Sequence, residues 1–123
     1  MPIGSRILLV DDSPLSRKIA SAMLVGDGFD VLEAENGEQA LDLALSARLD
    51  LILLDLGLPD MNGCDVARHL RTIPDMQHIP IIAVTGNGTP EAFEEAQSAG
   101  IDDLLVKPID RDDLVQTVAT ILG

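Results

Sequence analysis

Four stretches of the chain are continuously apolar: Ile7 to Val10, Leu51 to Leu54, Ile81 to Val84 and Leu104 to Val106. Short apolar runs without alternation are the pattern of parallel strands covered by helices on both faces. A fifth stretch, Phe29 to Ala34, is interrupted by Asp30 and Glu33, which suits a strand at a sheet edge. Between and after these runs, apolar residues recur at helical spacing. The stripes are Leu15, Ile19, Ala22 and Met23; Ala40, Leu41, Ala44 and Ala47; Val66, Ala67 and Leu70; Ala92, Phe93, Ala96 and Ala99; and Leu114, Val115, Val118 and Leu122. Each stripe is expected to lie on the sheet.

The punctuation between elements agrees. Ser13-Pro14 and Thr89-Pro90 each supply an N-cap and a first-turn proline, and Asp110 precedes Asp112 and Asp113 where acids suit a helix dipole. Met61-Asn62-Gly63 reads as a turn in which Gly63 supplies a permissive backbone. Strands alternating with helices, joined by right-handed crossovers, predict an open α/β sandwich of five strand–helix units. At 123 residues, with no linker, repeat or low-complexity segment, one domain spanning 1–123 is expected, with no output domain. The chain opens at Met1 shortly before the first strand, which favours a stand-alone protein.

Composition narrows the function. A formal charge of -13, from 8 basic and 21 acidic residues, would repel a phosphate backbone, so direct nucleic-acid binding is not expected. Phe29 and Phe93 are the only aromatics, which leaves a flavin-like ring without its usual partners. No apolar run approaches the roughly 20 residues that cross a bilayer, and no signal segment opens the chain, so a soluble, cytoplasmic protein is expected. The single cysteine, Cys64, reads as a packing residue, and His69 and His78 as exposed residues, since none has a metal-spaced partner.

Chemistry concentrates where the strands end. In open parallel sheets, ligands bind outside the carboxyl ends of the strands, at the point where the winding reverses. The residues there are Asp11 and Asp12 after the first run, Asp55 after the third, Thr85 after the fourth and Lys107 after the fifth. Taken singly, each could be a cap, a turn residue or a solvated side chain. Together they gather three carboxylates, and two unit charges 4 Å apart interact by roughly 4 kcal/mol at an effective dielectric of 20. One lysine does not offset that, whereas magnesium takes carboxylate, water and phosphate oxygens. The pattern therefore points to magnesium-dependent phosphoryl chemistry. In it Asp55, the lone carboxylate on a central strand, attacks phosphorus, Asp11 and Asp12 hold the metal, and Lys107 and Thr85 contact the phosphoryl oxygens.

With these residues in place, the chain resembles a response-regulator receiver domain of two-component signalling. The segments that carry the resemblance are "ILLVDDSP", "LILLDLGLPDMNG", "PIIAVTG" and "LLVKPID", in that order across nearly the whole chain. The resemblance implies a flavodoxin-like, doubly wound sheet of order 2-1-3-4-5 with five helices. It makes Asp55 the phosphoacceptor, fed by a histidine kinase or a histidine phosphotransfer protein, and places Asp11, Asp12 and Asp55 at a Mg2+ site completed by the main-chain carbonyl of Gly57. It also implies a cis peptide between Lys107 and Pro108. Two positions depart from the family's pattern: Leu104 stands where an aromatic is usual, and Gly86 where alanine is frequent. The loop Gly86-Asn87-Gly88 and the acidic face Glu91, Glu94 and Glu95 then become candidates for the moving and reading surfaces.

Three alternatives bear on the same residues. The chain could be the receiver module of a hybrid sensor kinase or phosphorelay. A haloacid dehalogenase-type phosphatase also uses aspartate and magnesium, but its Asp-x-Asp motif follows the first strand, where this chain has adjacent Asp11 and Asp12. A flavodoxin-like cofactor carrier shares the fold class, but the converging carboxylates count against binding a flavin phosphate.

Overall fold

In a computed structural model describing residues 4–123, the five apolar runs form the five strands. They are β1 (Arg6–Val10), β2 (Asp30–Ala34), β3 (Leu51–Asp55), β4 (Ile81–Thr85) and β5 (Asp103–Val106). All pair in parallel, in the order β2-β1-β3-β4-β5, so the winding reverses between β1 and β3. The helices are α1 (Pro14–Gly26), α2 (Gly37–Ser46), α3 (Gly63–Thr72), α4 (Pro90–Ser98) and α5 (Arg111–Leu122), with a short 3-10 turn at Pro74–Met76. Side chains alternate across the sheet, so each continuously apolar strand feeds two cores. Leu8, Val10, Ile52, Leu54 and Ala83 pack with α2, α3 and α4, while Ile7, Leu9, Leu51, Leu53 and Ile82 pack with α1 and α5. Fully burying one such Leu or Ile stabilises the fold by about 1.5–3 kcal/mol before chain entropy is counted.

β2 is an edge strand, as its charged positions predict: Asp30 and Glu33 are exposed and meet Arg6 and Arg17 at 3.0 Å each. The caps read at Ser13 and Thr89 form as expected, and Asn36 and Asn62 add two that the sequence did not single out. Ser13, Asn36, Asn62 and Thr89 each accept a backbone N–H in the first turn of α1, α2, α3 and α4, whereas Asp110 makes no side-chain cap bond. Two strands run one residue further than the apolar runs, so Asp55 and Thr85 are the last ladder residues of β3 and β4 rather than the first loop residues. Asp55 is in register with Val84, and Thr85 with Val106.

Three expectations need correction. The stripe Leu15, Ile19, Ala22, Met23 does not lie on the sheet as a whole: Leu15 is 69% exposed, Ile19 48%, and Ala22 is exposed too. The inward face of α1 is the row Ser16, Ala20, Met23 and Leu24, rotated by about one residue. Polar Ser16 heads that row because its hydroxyl bonds Asp11, so a search for apolar residues alone picks the wrong face. Leu15 and Ile19 instead line a groove of ≈ 560 Å³ together with Pro108 and Ile109. Phe93, placed on the inward stripe of α4, is 45% exposed, and Ala96 and Ala99 make the buried contact. Gly63 is not a permissive turn residue but the first residue of α3, capped by Asn62. A Cβ there would stand 2.5 Å from the Leu56 Cα, so close approach of backbone requires the glycine.

At the amino end of the sheet, Arg71 ties three segments together. Its guanidinium donates to the carbonyl oxygens of Met76, Ile79 and Gly100 and pairs with Asp102, whose Oδ2 also accepts the Ile81 N–H. This staple sits opposite the end where the chemistry converges.

The two glycine environments give an opposed pair of expectations. Gly63→Ala should lower unfolding free energy in urea by about 1–3 kcal/mol, because backbone has to move. Gly86→Ala, which meets nothing within 4 Å and does not use a positive φ, should leave it unchanged or raise it by up to about 1 kcal/mol.

Candidate functional site

The strand order brings the carboxyl ends of β1, β3 and β4 side by side, and with them the acids. Carboxylate oxygens of Asp11, Asp12 and Asp55 lie within 4.8 Å of one another. Asp11 and Asp55 are each only 6% exposed, while Asp12 faces solvent. Gathering like charges in a partly buried place is unfavourable unless opposite charge and donors are supplied.

Several donors come from the chain itself. Lys107 Nζ donates to Asp55 Oδ2 at 2.8 Å, and the Gly57 N–H donates to Asp55 Oδ1 at 2.9 Å. Lys107 is placed by the ladder, since its N–H donates to the Thr85 carbonyl at 2.7 Å, and the Lys107–Pro108 peptide is cis. Burial pulls the Lys107 ammonium down, but the hydrogen bond to Asp55 and the charges of Asp55, Asp11 and Asp12 outweigh it and hold the group above the ordinary lysine value of 10.5. The stabilisation from a raised lysine is complete below that ordinary value and is lost as pH rises through the higher folded one.

Asp11 is held by the start of α1. Its Oδ1 accepts the Ser13 N–H at 2.9 Å, its Oδ2 accepts the Ser16 hydroxyl at 2.6 Å, and its carbonyl accepts from Arg17 Nη1 at 2.8 Å. Arg17 reaches on to Glu33 of the edge strand. Thr85 is nearly buried at the end of β4, with its hydroxyl oxygen accepting the Asn87 N–H at 3.0 Å. Gly57 lies exposed in the loop after β3.

Thus Asp11, Asp12, Asp55 and Lys107 come together at one end of the sheet, with Gly57 bonded to Asp55 and Thr85 joined to Lys107 through backbone. The donor set fits a hard cation. Three carboxylates at close range, with no thiolate or imidazole among them, are the ligand chemistry of magnesium rather than of zinc or copper. His69 and His78 are exposed and Cys64 is buried, its thiol pushed up by desolvation first and by the neighbouring Glu95 charge.

Residues beyond the apolar pattern and the strand-end acids also shape the site. Ser16 and Arg17 are five and six positions after Asp11, where only a folded helical turn brings them back to it. Asp60 accepts the N–H groups of Gly37 and Glu38 at 2.8 and 3.0 Å, so the loop that follows Asp55 also caps α2. Nothing in the sequence pairs position 60 with positions 37 and 38, which are joined by topology alone.

A doubly wound parallel sheet with an acidic pocket at its carboxyl edge defines the class of protein, an α/β domain whose candidate ligand site lies at that edge. The comparisons give the family. The family model of the response regulator receiver domain matches residues 7–119. The polar-differentiation response regulator DivK of Brucella anthropi is 32% identical over 117 residues, covering 95% of this chain and 95% of DivK. The CAI-1 autoinducer sensor kinase/phosphatase CqsS of Vibrio cholerae is 36% identical over 115 residues, which cover 93% of this chain but only 17% of CqsS. Among solved structures, the receiver domain of the sensor histidine kinase PA1611 from Pseudomonas aeruginosa, which has a magnesium ion coordinated in its active-site cleft, superposes with a TM-score of 0.91. It is 35% identical, with 98% of each chain covered. The chain belongs to the response-regulator receiver domains of two-component signalling, and its Asp11–Asp12–Asp55 pocket fits a magnesium phosphoacceptor site. Among the described residues, no helix is long and apolar enough to cross a membrane.

The capping of α2 has a pH signature. The hydrogen bond from Gly37, opposed by a smaller burial effect and helped by Glu38, holds the Asp60 carboxyl below its ordinary value of 3.8. A depressed carboxyl stabilises the fold above its unfolded value and loses that contribution as pH falls through the folded one. The difference in melting temperature between wild type and Asp60→Asn should therefore be constant from pH 7 down to the carboxylate range and shrink below it.

Proposed function

We propose that Asp55 accepts a phosphoryl group from a phosphohistidine donor, a histidine kinase or a histidine phosphotransfer protein, in a reaction that requires Mg2+. The observation that carries this reading is the placement of Asp55. It is a buried carboxylate on a central strand, flanked by two further carboxylates on one side and by an ammonium at 2.8 Å on the other.

The chain's own groups then take separate roles. An Asp55 oxygen attacks phosphorus and forms the acyl-phosphate P–O bond while the donor's P–N bond breaks. The electron pair leaves with the imidazole ring, which departs neutral when its other nitrogen already carries a proton and otherwise takes one from solvent. Asp11, Asp12 and Asp55, with the Gly57 carbonyl, would hold the cation. When bound, Mg2+ neutralises charge spreading over the phosphoryl oxygens. Lys107, already on Asp55, moves its hydrogen bond to a phosphoryl oxygen, and the Thr85 hydroxyl donates to another. In this reading the domain assists its own phosphorylation and dephosphorylation without being an enzyme of a general substrate, and its output passes through partner binding.

The route of the switch follows from two residues. Leu104 is aliphatic and buried against the α2–α4 core, so no ring is available there to reorient. Thr85, by contrast, holds the Asn87 N–H through the hydroxyl oxygen that the phosphoryl group would recruit. A Thr85 drawn to the phosphate shifts the loop Gly86-Asn87-Gly88 and the start of α4. Phosphorylation adds about -1.5 to -2 charges, and turning a two-state equilibrium from 1:99 to 99:1 takes about 5.5 kcal/mol, of which new contacts to Lys107 and Thr85 supply a large part in this reading.

Mass spectrometry after incubation with acetyl phosphate tests the chemistry: one Mg2+-dependent phosphoryl addition to the wild type and none to Asp55→Asn. Asp12→Ala should weaken Mg2+ binding about tenfold or more, equivalent to ~1.4 kcal/mol, without unfolding the domain. Addition to Asp55→Asn at the wild-type level would remove Asp55 from the role. For the switch, amide relaxation or exchange should change across residues 85 to 95 on phosphorylation, and an unchanged profile there would refute the loop route.

A further inference from the structure

The three acids of the pocket are not held alike. Asp55 is fixed by Lys107 and by the Gly57 N–H. Asp12 is exposed, and among the described residues its carboxylate accepts no hydrogen bond. Asp11 is buried and has one chain donor on each oxygen, the Ser13 N–H on Oδ1 and the Ser16 hydroxyl on Oδ2. At 2.6 Å the hydroxyl contact lies in the short range of charge-assisted O–H···O⁻ bonds.

Ser16 is an unusual place for such a donor. A serine inside a helix ordinarily turns its hydroxyl to solvent or to the carbonyl four residues back. Here it heads the inward row of α1, above Ala20, Met23 and Leu24, and spends its proton on Asp11. Arg17, the next residue, fixes the Asp11 main chain through its carbonyl and is itself anchored on Glu33. Backbone and carboxylate of Asp11 are therefore clamped by consecutive residues of one helical turn. The clamp has a clear opponent, because the negative charges of Asp12 and Asp55 favour a rotation of Asp11 away from them.

We propose that Ser16 is a positioning residue for the divalent cation: its hydroxyl fixes the Asp11 carboxylate so that the remaining lone pairs face the point shared with Asp12 and Asp55. This rests on reading the three carboxylates as a cation site. Donors behind a metal ligand set its orientation, and losing one typically costs 10- to 100-fold in metal affinity. Without Ser16 the Ser13 N–H is the one donor left on the Asp11 carboxylate, and the repulsion from Asp12 and Asp55 is opposed on one oxygen instead of two.

The test is a Mg2+ titration of wild type, Ser16→Ala and Ser16→Thr, followed by amide chemical shifts, with melting temperatures recorded in EDTA. Ser16→Ala should bind Mg2+ about tenfold more weakly, and Ser16→Thr, which keeps the hydroxyl, should stay within about threefold of wild type. Equal or tighter binding by Ser16→Ala would overturn the proposal. So would an equal loss in Ser16→Thr with a lowered melting temperature in EDTA, which would make Ser16 a packing residue. No saturable binding by the wild type would instead remove the cation site itself, and the positioning role with it.

Discussion

Everything at the functional end of this domain is arranged around one electrostatic problem, the mutual repulsion of Asp11, Asp12 and Asp55 within 4.8 Å. The Lys107–Asp55 contact is the chain's main answer to it. Its effect is visible on the lysine itself, whose ammonium stays above its ordinary range despite the burial that opposes it. Two of the three acids are then given fixed donors and the third is left to solvent. Three carboxylates so close together form an oxygen-only donor set that fits a hard divalent cation.

The rest of the fold makes that arrangement affordable. Five parallel strands with helices on both faces place the charges at the carboxyl edge, where loops can carry polar groups without burying unpaired backbone. Long-range bonds hold those loops in place: Lys107 to Thr85 by backbone, Arg17 to Glu33 and Asp11, and Asp60 to the start of α2. The opposite edge is closed by Arg71, which binds three carbonyl oxygens and Asp102. One end of the sheet is thus locked by a satisfied cation, and the other is left charged and accessible. Among the described residues, every buried side-chain nitrogen and oxygen has a hydrogen-bond partner.

The family defines the chemistry of the pocket more closely than it defines what the domain serves. The same stretch spans 95% of DivK and 17% of CqsS, a response regulator in one case and a small part of a sensor kinase in the other. The residues that gather in the pocket come from one edge of one sheet, so the same fold can stand in either setting.

The sequence by itself determined the strands, the caps at Ser13 and Thr89 and the acids that gather at one edge. A continuously apolar run such as Ile7 to Val10 can be satisfied only between two helical layers, and acids that follow such runs can lie only at the sheet's carboxyl edge. Edge strand β2 was legible for the same reason, through Asp30 and Glu33. Tertiary structure decided what depends on rotation and on distant partners. Helical period left the face of α1 open by about one residue, and the bond from Ser16 to Asp11 settled it. Gly63 was read as a turn because a sequence shows a missing Cβ but not the Leu56 backbone that requires its absence. The role of Asp60 depends on Gly37 and Glu38, far away in the chain, and no local pattern encodes a contact made only after β3 has been laid beside β1.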